Sequence, residues 1–222
     1  MYSMPFEDGS TNAAAVQNTD PWWRSRSARV PLPGPSIFTG ALSGYFVAAL
    51  KDGFAESKQG FIELPDETVG TFRRFFTWLY TKKIELPEKP ADMTCYSEIV
   101  NLWFFADRRE IPLLMNEAVS ALRDENVKRW KLPTAHLRLI YENTSPTAGL
   151  RRYVRQVVGL CGGESFLDEL KKEYSKEMLW DILDVVWRLK LAGTAIATPD
   201  DLSRLDLCEY HVHEEGVKCP KA

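Results

Sequence analysis

Apolar residues recur every three or four positions along most of this chain, which is the spacing of one buried face of an α-helix. The clearest face has four members at positions i, i+3, i+4 and i+7: Phe72, Phe75, Phe76 and Leu79. Asp66 and Thr68 precede it as candidate helix caps. Just upstream, Gly60 to Leu64 is short and rich in β-branched and aromatic residues, so it predicts a strand. Ser43 is placed to cap a further helix that would begin earlier in the chain.

Two more helices follow. The first is predicted from Tyr96 to Ala106, with Ile99, Leu102 and Trp103 at helical spacing. The second begins near Pro112, because a proline in the first turn loses no hydrogen bond. Its predicted buried side consists of Leu114, Ala118, Ala121 and Leu122.

Residues 126–198 read as a helical extension. A short helix is predicted from Thr134 to Tyr141, and a longer one carries the apolar stripe Leu150, Val154, Val157, Val158 and Cys161. The last is predicted from Lys176 to Leu191, and its predicted buried residues are Leu179, Ile182, Leu183, Val186 and Leu189 or the neighbours of Lys190. Trp180 and Trp187 are seven residues apart on one face of it, and we expect them to close one end of the core. If both rings were exposed, they would instead indicate a binding surface.

The segment from Ala41 to Leu86 orders a helix, a strand, a turn and a helix as the centre of the BTB/POZ domain does. Ile99 to Leu122, IVNLWFFADRREIPLLMNEAVSAL, is similar to the third and fourth helices of that domain. Tyr141 to Val158 resembles the extension of many fungal BTB-containing proteins. The resemblance implies an α+β fold with helices around a small sheet. Pro35 to Gly40 departs from it, because the alternating pattern of the family's opening β-hairpin is missing there.

These patterns divide the chain of 222 residues into four parts. Residues 1–36 are rich in Ser, Thr, Asn, Ala and Pro and predict a disordered arm, in which Trp22-Trp23 either rests on the surface or docks into a partner. Residues 37–125 form the BTB/POZ-like domain, 126–198 the helical extension, and 199–222 a tail that contains cysteine and histidine.

Composition and charge exclude several classes of function. The net charge of −3 gives no large basic field, so nucleic acid is not an expected partner. No apolar run approaches the roughly 20 residues of a membrane helix, and no signal peptide is evident at the start. The four cysteines are too scattered for a disulfide scaffold. We therefore expect an intracellular protein, cytoplasmic or nuclear.

One candidate partner site is Phe54-Ala55-Glu56, in the predicted loop before the strand. The resemblance implies that a hydrophobic–any–Glu pattern here engages the cullin scaffold of ubiquitin ligases. An apolar anchor would fill a pocket while the carboxylate orients the contact. The alternative is that Phe54 packs inward and Glu56 is an ordinary solvated charge.

A second candidate site is metal-binding. Cys208, His211, His213 and Cys219 supply two thiols and two imidazoles within a dozen residues, and these are the ligand atoms of tetrahedral zinc. The spacing C-x2-H-x-H-x5-C is not one of the common zinc patterns. A zinc ion held by all four would be structural. The alternative is a flexible tail in which these residue types occur together by coincidence, or a tail that is partly packed on the helices.

Catalytic patterns are missing from the sequence, so we expect no enzyme. His136 lies in a short apolar helix, and the double glycine after Cys161 is better explained as a helix stop than as part of a reactive site. The expected function is that of a protein–protein interaction module, specifically a substrate adaptor of a cullin-type ubiquitin ligase. The alternative is a scaffold that self-associates, for example as a homodimer, or binds one partner, with no ligase role.

Overall fold

The computed structural model describes residues 28–31, 61–64, 67–86, 94–132, 134–162, 174–193, 198–213 and 219. Within these ranges helices carry most of the structure. In chain order they are α1 (Val69–Thr81), α2 (Thr94–Arg108), α3 (Pro112–Arg129), α4 (Thr134–Asn143), α5 (Gly149–Cys161), α6 (Lys176–Leu191) and α7 (Pro199–Ser203). A short 3₁₀ helix, Leu207–Tyr210, follows α7.

Strands in the described part of the chain form one antiparallel pair, β1 (Ala28–Pro31) and β2 (Phe61–Leu64), with Ala28 opposite Leu64. The expected α+β class, with BTB/POZ-like helices around a small sheet, is therefore wrong, because the structure is mostly helical. The pair is too short to be the centre of the fold, and a helix takes that place.

That central helix is α2. It buries side chains around most of its circumference, as a helix enclosed on several sides by other elements does. The buried residues are Cys95, Tyr96, Ile99, Val100, Leu102, Trp103, Phe104, Phe105 and Ala106. One side of α2 packs against α1, and the others contact α3 and α4. Sequence periodicity predicted the buried positions Ile99, Leu102, Trp103 and Ala106, and all four are confirmed.

The cluster between α1, β2 and α2 is aromatic. Phe75 of α1 lies 4.7 Å from Phe105 of α2 between ring centroids, and Phe72 packs edge-on to both. Thr68 caps α1 as predicted, since its side chain accepts a hydrogen bond from the backbone N–H of Thr71 at 3.1 Å. At the edge of the cluster, the buried Glu67 carboxylate accepts hydrogen bonds from Arg108, the last residue of α2, and from Arg109, which follows it.

Helices α5 and α6 pack against each other at close range. A Cβ atom at Gly159 would lie 2.4 Å from Cγ1 of Val185, so the pair needs a residue without a side chain at this position of α5. Across the same contact, the buried guanidinium of Arg151 lies 2.5 Å from Glu177 Oε1 and 3.1 Å from Asp181 Oδ2. These contacts fix which side of α6 faces the body of the protein.

The side of α6 that is buried differs from the predicted one. Met178, Ile182 and Val185 are buried, whereas Leu183 and Val186, which we expected inside, are exposed. The prediction that Trp180 and Trp187 close one end of the core is also wrong, because both rings face solvent. The cause is that α6 has two apolar faces, and the one with smaller side chains approaches Gly159.

The domain boundaries stay predictions. Strand β1 lies inside the segment that we expected to be a disordered arm. The rest of that arm, including Trp22-Trp23, lies outside the described residues.

Candidate metal centre

The C-terminal segment is held on the helical body before it reaches the candidate ligands. Helix α7 begins with a capping box, in which Thr198 Oγ1 accepts from Asp201 N–H while the Asp201 carboxylate accepts from Thr198 N–H. The main core is the hydrophobic cluster to which helices α2 to α6 contribute, and Leu202, Leu207 and Tyr210 are buried in it. The segment is thus positioned by ordinary packing over residues 198–210.

A close backbone approach adds to this attachment. A Cβ atom at Gly149, the first residue of α5, would lie 1.9 Å from the backbone oxygen of Tyr210. The Tyr210 ring packs edge-on against Tyr153 of α5, with centroids 5.7 Å apart. Arg123 of α3 donates to the backbone oxygen of Ser203 at 3.1 Å. Both α3 and α5 therefore hold the segment that leads into the histidines.

Asn116 of α3 holds the residue between those histidines. Its Nδ2 donates to the backbone oxygen of Val212 at 2.9 Å, and its Oδ1 accepts from the backbone N–H of Val212 at 2.7 Å. One side-chain amide therefore pairs with both polar groups of a single residue. With Val212 fixed, His211 and His213 are held on either side of it.

Three of the four predicted ligands converge, and the fourth, His211, contacts one of them. His213 Nε2 lies 3.4 Å from Cys208 Sγ and 3.4 Å from Cys219 Sγ. His211 Nδ1 lies 3.0 Å from Cys219 Sγ, and the two imidazole centroids are 5.9 Å apart. Cys208, His213 and Cys219 lie close enough together to hold a metal ion. Three of the predicted ligands are thus brought together, and His211 lies outside this group, in contact with it through Cys219.

Hydrogen bonds from surrounding groups orient the candidate ligands. His211 directs Nδ1 to Cys219 and Nε2 to Ser120 Oγ of α3, at 3.3 Å. Ser120 Oγ in turn donates to the backbone oxygen of Asn116 at 3.1 Å. The backbone N–H of Cys219 donates to Cys208 Sγ at 3.3 Å, a contact that stabilises a sulfur bearing negative charge. Such outer contacts orient the ligands of metal sites.

The surroundings of His211 and Cys219 favour the neutral forms of these two side chains. Burial lowers the pKa of His211, and the neighbouring His213 lowers it further, so its imidazole is neutral and has a free lone pair at neutral pH. Burial and the adjacent Cys208 sulfur raise the pKa of the Cys219 thiol. A metal ion that binds here would displace the thiol proton, as metal binding to cysteine does in general.

The other candidate residues do not assemble a site in the described structure. Phe54, Ala55 and Glu56 lie outside the described residues. His136 is buried, its Nε2 lies 2.7 Å from Ser97 Oγ, and burial lowers its pKa to about 4. Cys161 is buried in the main core, which raises its pKa to about 12 and keeps its thiol unreactive. Both residues serve as parts of the core.

No pattern in the sequence indicated Asn116 and Ser120 as site residues. They are one turn apart on α3 and contact the cluster from a distance of more than 90 positions along the chain. A polar pair at i and i+4 on a helix is common on exposed faces. Their role becomes visible only when the C-terminal segment is placed beside them.

Comparisons of the chain with protein-family models, with curated proteins and with solved structures gave no match in any of the three. The BTB/POZ resemblance therefore stays a prediction. Across the part of the chain that the structure describes, none of the helices combines the length and the apolar character needed to span a membrane.

Proposed function

We propose that Cys208, His211, His213 and Cys219 bind one structural zinc ion that fastens the C-terminal segment to the helical body. Four protein ligands leave no open coordination position for water or substrate, so the ion would stabilise structure and would not catalyse a reaction. Residues 208–213 supply three of the ligands. Residue 219 supplies the fourth, so the ion would close a loop of the chain.

The position of His213 Nε2 between the two sulfurs carries this proposal. A neutral imidazole has one lone pair and can accept one hydrogen bond, yet this nitrogen lies 3.4 Å from both Cys208 and Cys219. Zn–S and Zn–N bonds of about 2.3 and 2.0 Å place neighbouring ligand atoms of a tetrahedral site roughly 3.5 Å apart. One ion bonded to all of these atoms accounts for the spacing better than thiol–imidazole hydrogen bonds do.

Metal content and cobalt spectroscopy of the full chain test the proposal. We expect about one zinc per chain after purification without chelator, and Co²⁺ exchanged into the site should give the absorption bands of a tetrahedral site with thiolate ligands. His213→Gln should lower the stoichiometry strongly. His136→Gln is the matched control, because it removes a histidine elsewhere in the fold and should leave the metal bound. A purified chain that lacks stoichiometric metal, with a tail unaffected by chelator, would contradict the proposal.

We also propose that the protein as a whole is an interaction module and not an enzyme. Two observations support this. His136 and Cys161, two candidates for chemistry outside the metal centre, are packed in the core. Helix α6 instead presents Trp180 and Trp187 to solvent, and exposed tryptophans on one helix face are typical of binding surfaces.

A role as a substrate adaptor of a cullin-type ubiquitin ligase is the narrower form of this proposal. It rests on the BTB/POZ resemblance and on Phe54-Ala55-Glu56. The test is co-purification of the tagged full-length chain from its own cell extract, read by mass spectrometry, beside a Phe54→Asp variant. Recovery of a cullin with the parent chain and its loss with the variant would support the adaptor role. Recovery of the chain alone, or of a partner indifferent to the substitution, would favour the scaffold alternative.

A further inference from the structure

Helix α6 exposes a continuous apolar face. Trp180, Leu183, Trp187 and Leu191 are separated by three, four and four residues, which keeps them on one side of the helix, and they are 68%, 50%, 57% and 74% exposed. We name these four residues the α6 face. They include both tryptophans of the helix.

The α6 face cannot turn inward without breaking other contacts. The opposite side of the helix is buried through Met178, Ile182 and Val185. Asp181, beside that buried side, accepts hydrogen bonds from Arg151 and from the Tyr141 hydroxyl, each at 3.1 Å. The face is therefore held outward by the packing behind it.

We infer that the α6 face binds the same face of a second copy of this chain, with the two helices antiparallel. Along the face large and smaller side chains alternate in the order Trp, Leu, Trp, Leu. A twofold axis near residues 185 and 186 places Trp180 opposite Leu191 of the second copy and Leu183 opposite its Trp187. Each tryptophan then meets a leucine. A parallel arrangement would place the tryptophans against each other and the leucines against each other, which packs less evenly.

The charges beside the face select the same arrangement. Asp184 and Arg188 lie along one side of it, form an exposed ion pair with each other, and are equidistant from residue 186. In the antiparallel arrangement Asp184 therefore faces Arg188 of the second copy, and the two helices contribute a ring of four alternating charges. The parallel arrangement would bring like charges together at both positions. Antiparallel helix dipoles add a small favourable contribution.

The size of the face fits the apolar centre of an interface. Its four side chains expose on the order of 400–500 Å² of mostly apolar surface, whereas a standard interface buries about 800 Å² per partner. Protein–protein interfaces usually have aromatic residues at their centre and polar residues at their rim. This inference rests on the proposed role as an interaction module. It is independent of the zinc ion, because none of the four metal ligands belongs to α6.

Sedimentation of the full-length chain over a range of concentrations is the first test. We expect a species of twice the 25.4 kDa chain mass, and Trp187→Asp should raise its dissociation constant at least a hundredfold. The matched control is Leu113→Asp on α3, which also places a carboxylate at an exposed apolar residue (61% exposed) and should leave the dimer intact. Circular dichroism checks that both variants fold.

Charge exchange tests the antiparallel arrangement. Asp184→Arg places four positive charges at the twofold axis and Arg188→Asp places four negative ones, so each variant alone should be monomeric. An equimolar mixture should form a heterodimer, because each arginine then faces an aspartate. This recovery separates a contact between copies from damage to the fold.

Three results would overturn the inference: a chain that stays monomeric at every concentration, a dimer indifferent to Trp187→Asp, or a mixture of the charge variants that stays monomeric. A monomeric chain that still captures another protein from extract, with the capture lost in Trp187→Asp, would overturn the self-association and leave the interaction module standing. The failure of one claim is thus distinguishable from the failure of the other.

Discussion

Helices α5 and α6 are neighbours of similar length, and each carries a row of apolar residues at helical spacing, yet the two rows have opposite surroundings. On α5 the row Leu150, Val154, Val157, Val158 and Cys161 is buried throughout. On α6 the row with the largest side chains, which contains Trp180 and Trp187, faces solvent. Helical spacing thus reveals that an apolar face exists, and what covers that face depends on the rest of the fold.

The difference arises because α6 has two apolar faces, and the surface of α5 accommodates the face with the smaller side chains. Gly159 leaves a recess in α5 that accepts Val185, a β-branched side chain of modest size. A tryptophan at that point would need far more room. Arg151 then fixes the rotation of α6 by binding carboxylates on one side of it. Hydrophobicity alone would have favoured burying the tryptophans, and shape decides against it.

The largest expected effect contrasts the same substitution on the two helices. Leu150→Ala removes a buried side chain from the main core and should lower the free energy of unfolding by about 3 kcal/mol. Leu183→Ala removes a half-exposed side chain, and in the monomer it should change the free energy by less than about 0.5 kcal/mol. Urea unfolding followed by circular dichroism at low protein concentration measures both. If both variants lost the same free energy of unfolding, the result would contradict the finding that Leu183 belongs to an exposed row on α6.

A smaller effect is expected from the charged contact between the helices. Arg151→Ala leaves Asp181 without its buried partner, and we expect a loss of about 2 kcal/mol, since Asp181 keeps the Tyr141 hydroxyl and some solvent. Arg138→Ala is the control, because it breaks an exposed i,i+4 pair with Glu142 and should cost less than about 0.5 kcal/mol. Thermal unfolding of the two variants side by side measures the difference. A cost for Arg138→Ala as large as that for Arg151→Ala would refute the distinction.

The smallest effect is at the recess itself. Gly159→Ala places a methyl group against Val185, and the overlap should outweigh the gain in helix propensity, with a net loss of about 1 kcal/mol. In a Val185→Ala background the same substitution should cost nothing or stabilise. Gly70→Ala on α1 is the matched control: its new methyl group would meet only atoms at 3.6 Å or beyond, so it should stabilise by roughly 0.5–1 kcal/mol. Denaturant unfolding of the double-mutant cycle measures the coupling.

The local part of the fold could be read from the sequence, and the assembly could not. The cap at Thr68, the start of α3 at Pro112 and the bounds of α6 depend on neighbouring residues, and the structure agrees with each of them. The central position of α2 depends on how several helices surround it. The family resemblance favoured a sheet in that place, and the described residues are mostly helical.

The candidate metal centre shows the same contrast between local features, which the sequence predicts, and contacts between distant parts of the chain, which it does not. Cys208, His213 and Cys219, which lie close enough together to hold a metal ion, were identifiable because cysteine and histidine at short spacing have few other roles in common. Their geometry depends on Asn116 and Ser120, which are ordinary polar residues of a helix surface and were not predicted. The residue type determines which side chains can bind a metal, and this can be read from the sequence. The positions of those side chains depend on contacts between distant parts of the chain, and these cannot.

The pairing of Asn116 with Val212 has a consequence for how this chain tolerates mutation. Both hydrogen bonds go to the main chain of Val212, whose own side chain is partly exposed. Almost any amino acid other than proline would offer the same two groups, so the type of residue at position 212 should vary freely. The number of residues on either side of position 212, by contrast, should not vary. One residue inserted or deleted between His211 and His213 would move one histidine away from the cysteines, so this stretch is expected to accept substitutions readily and changes in length hardly at all.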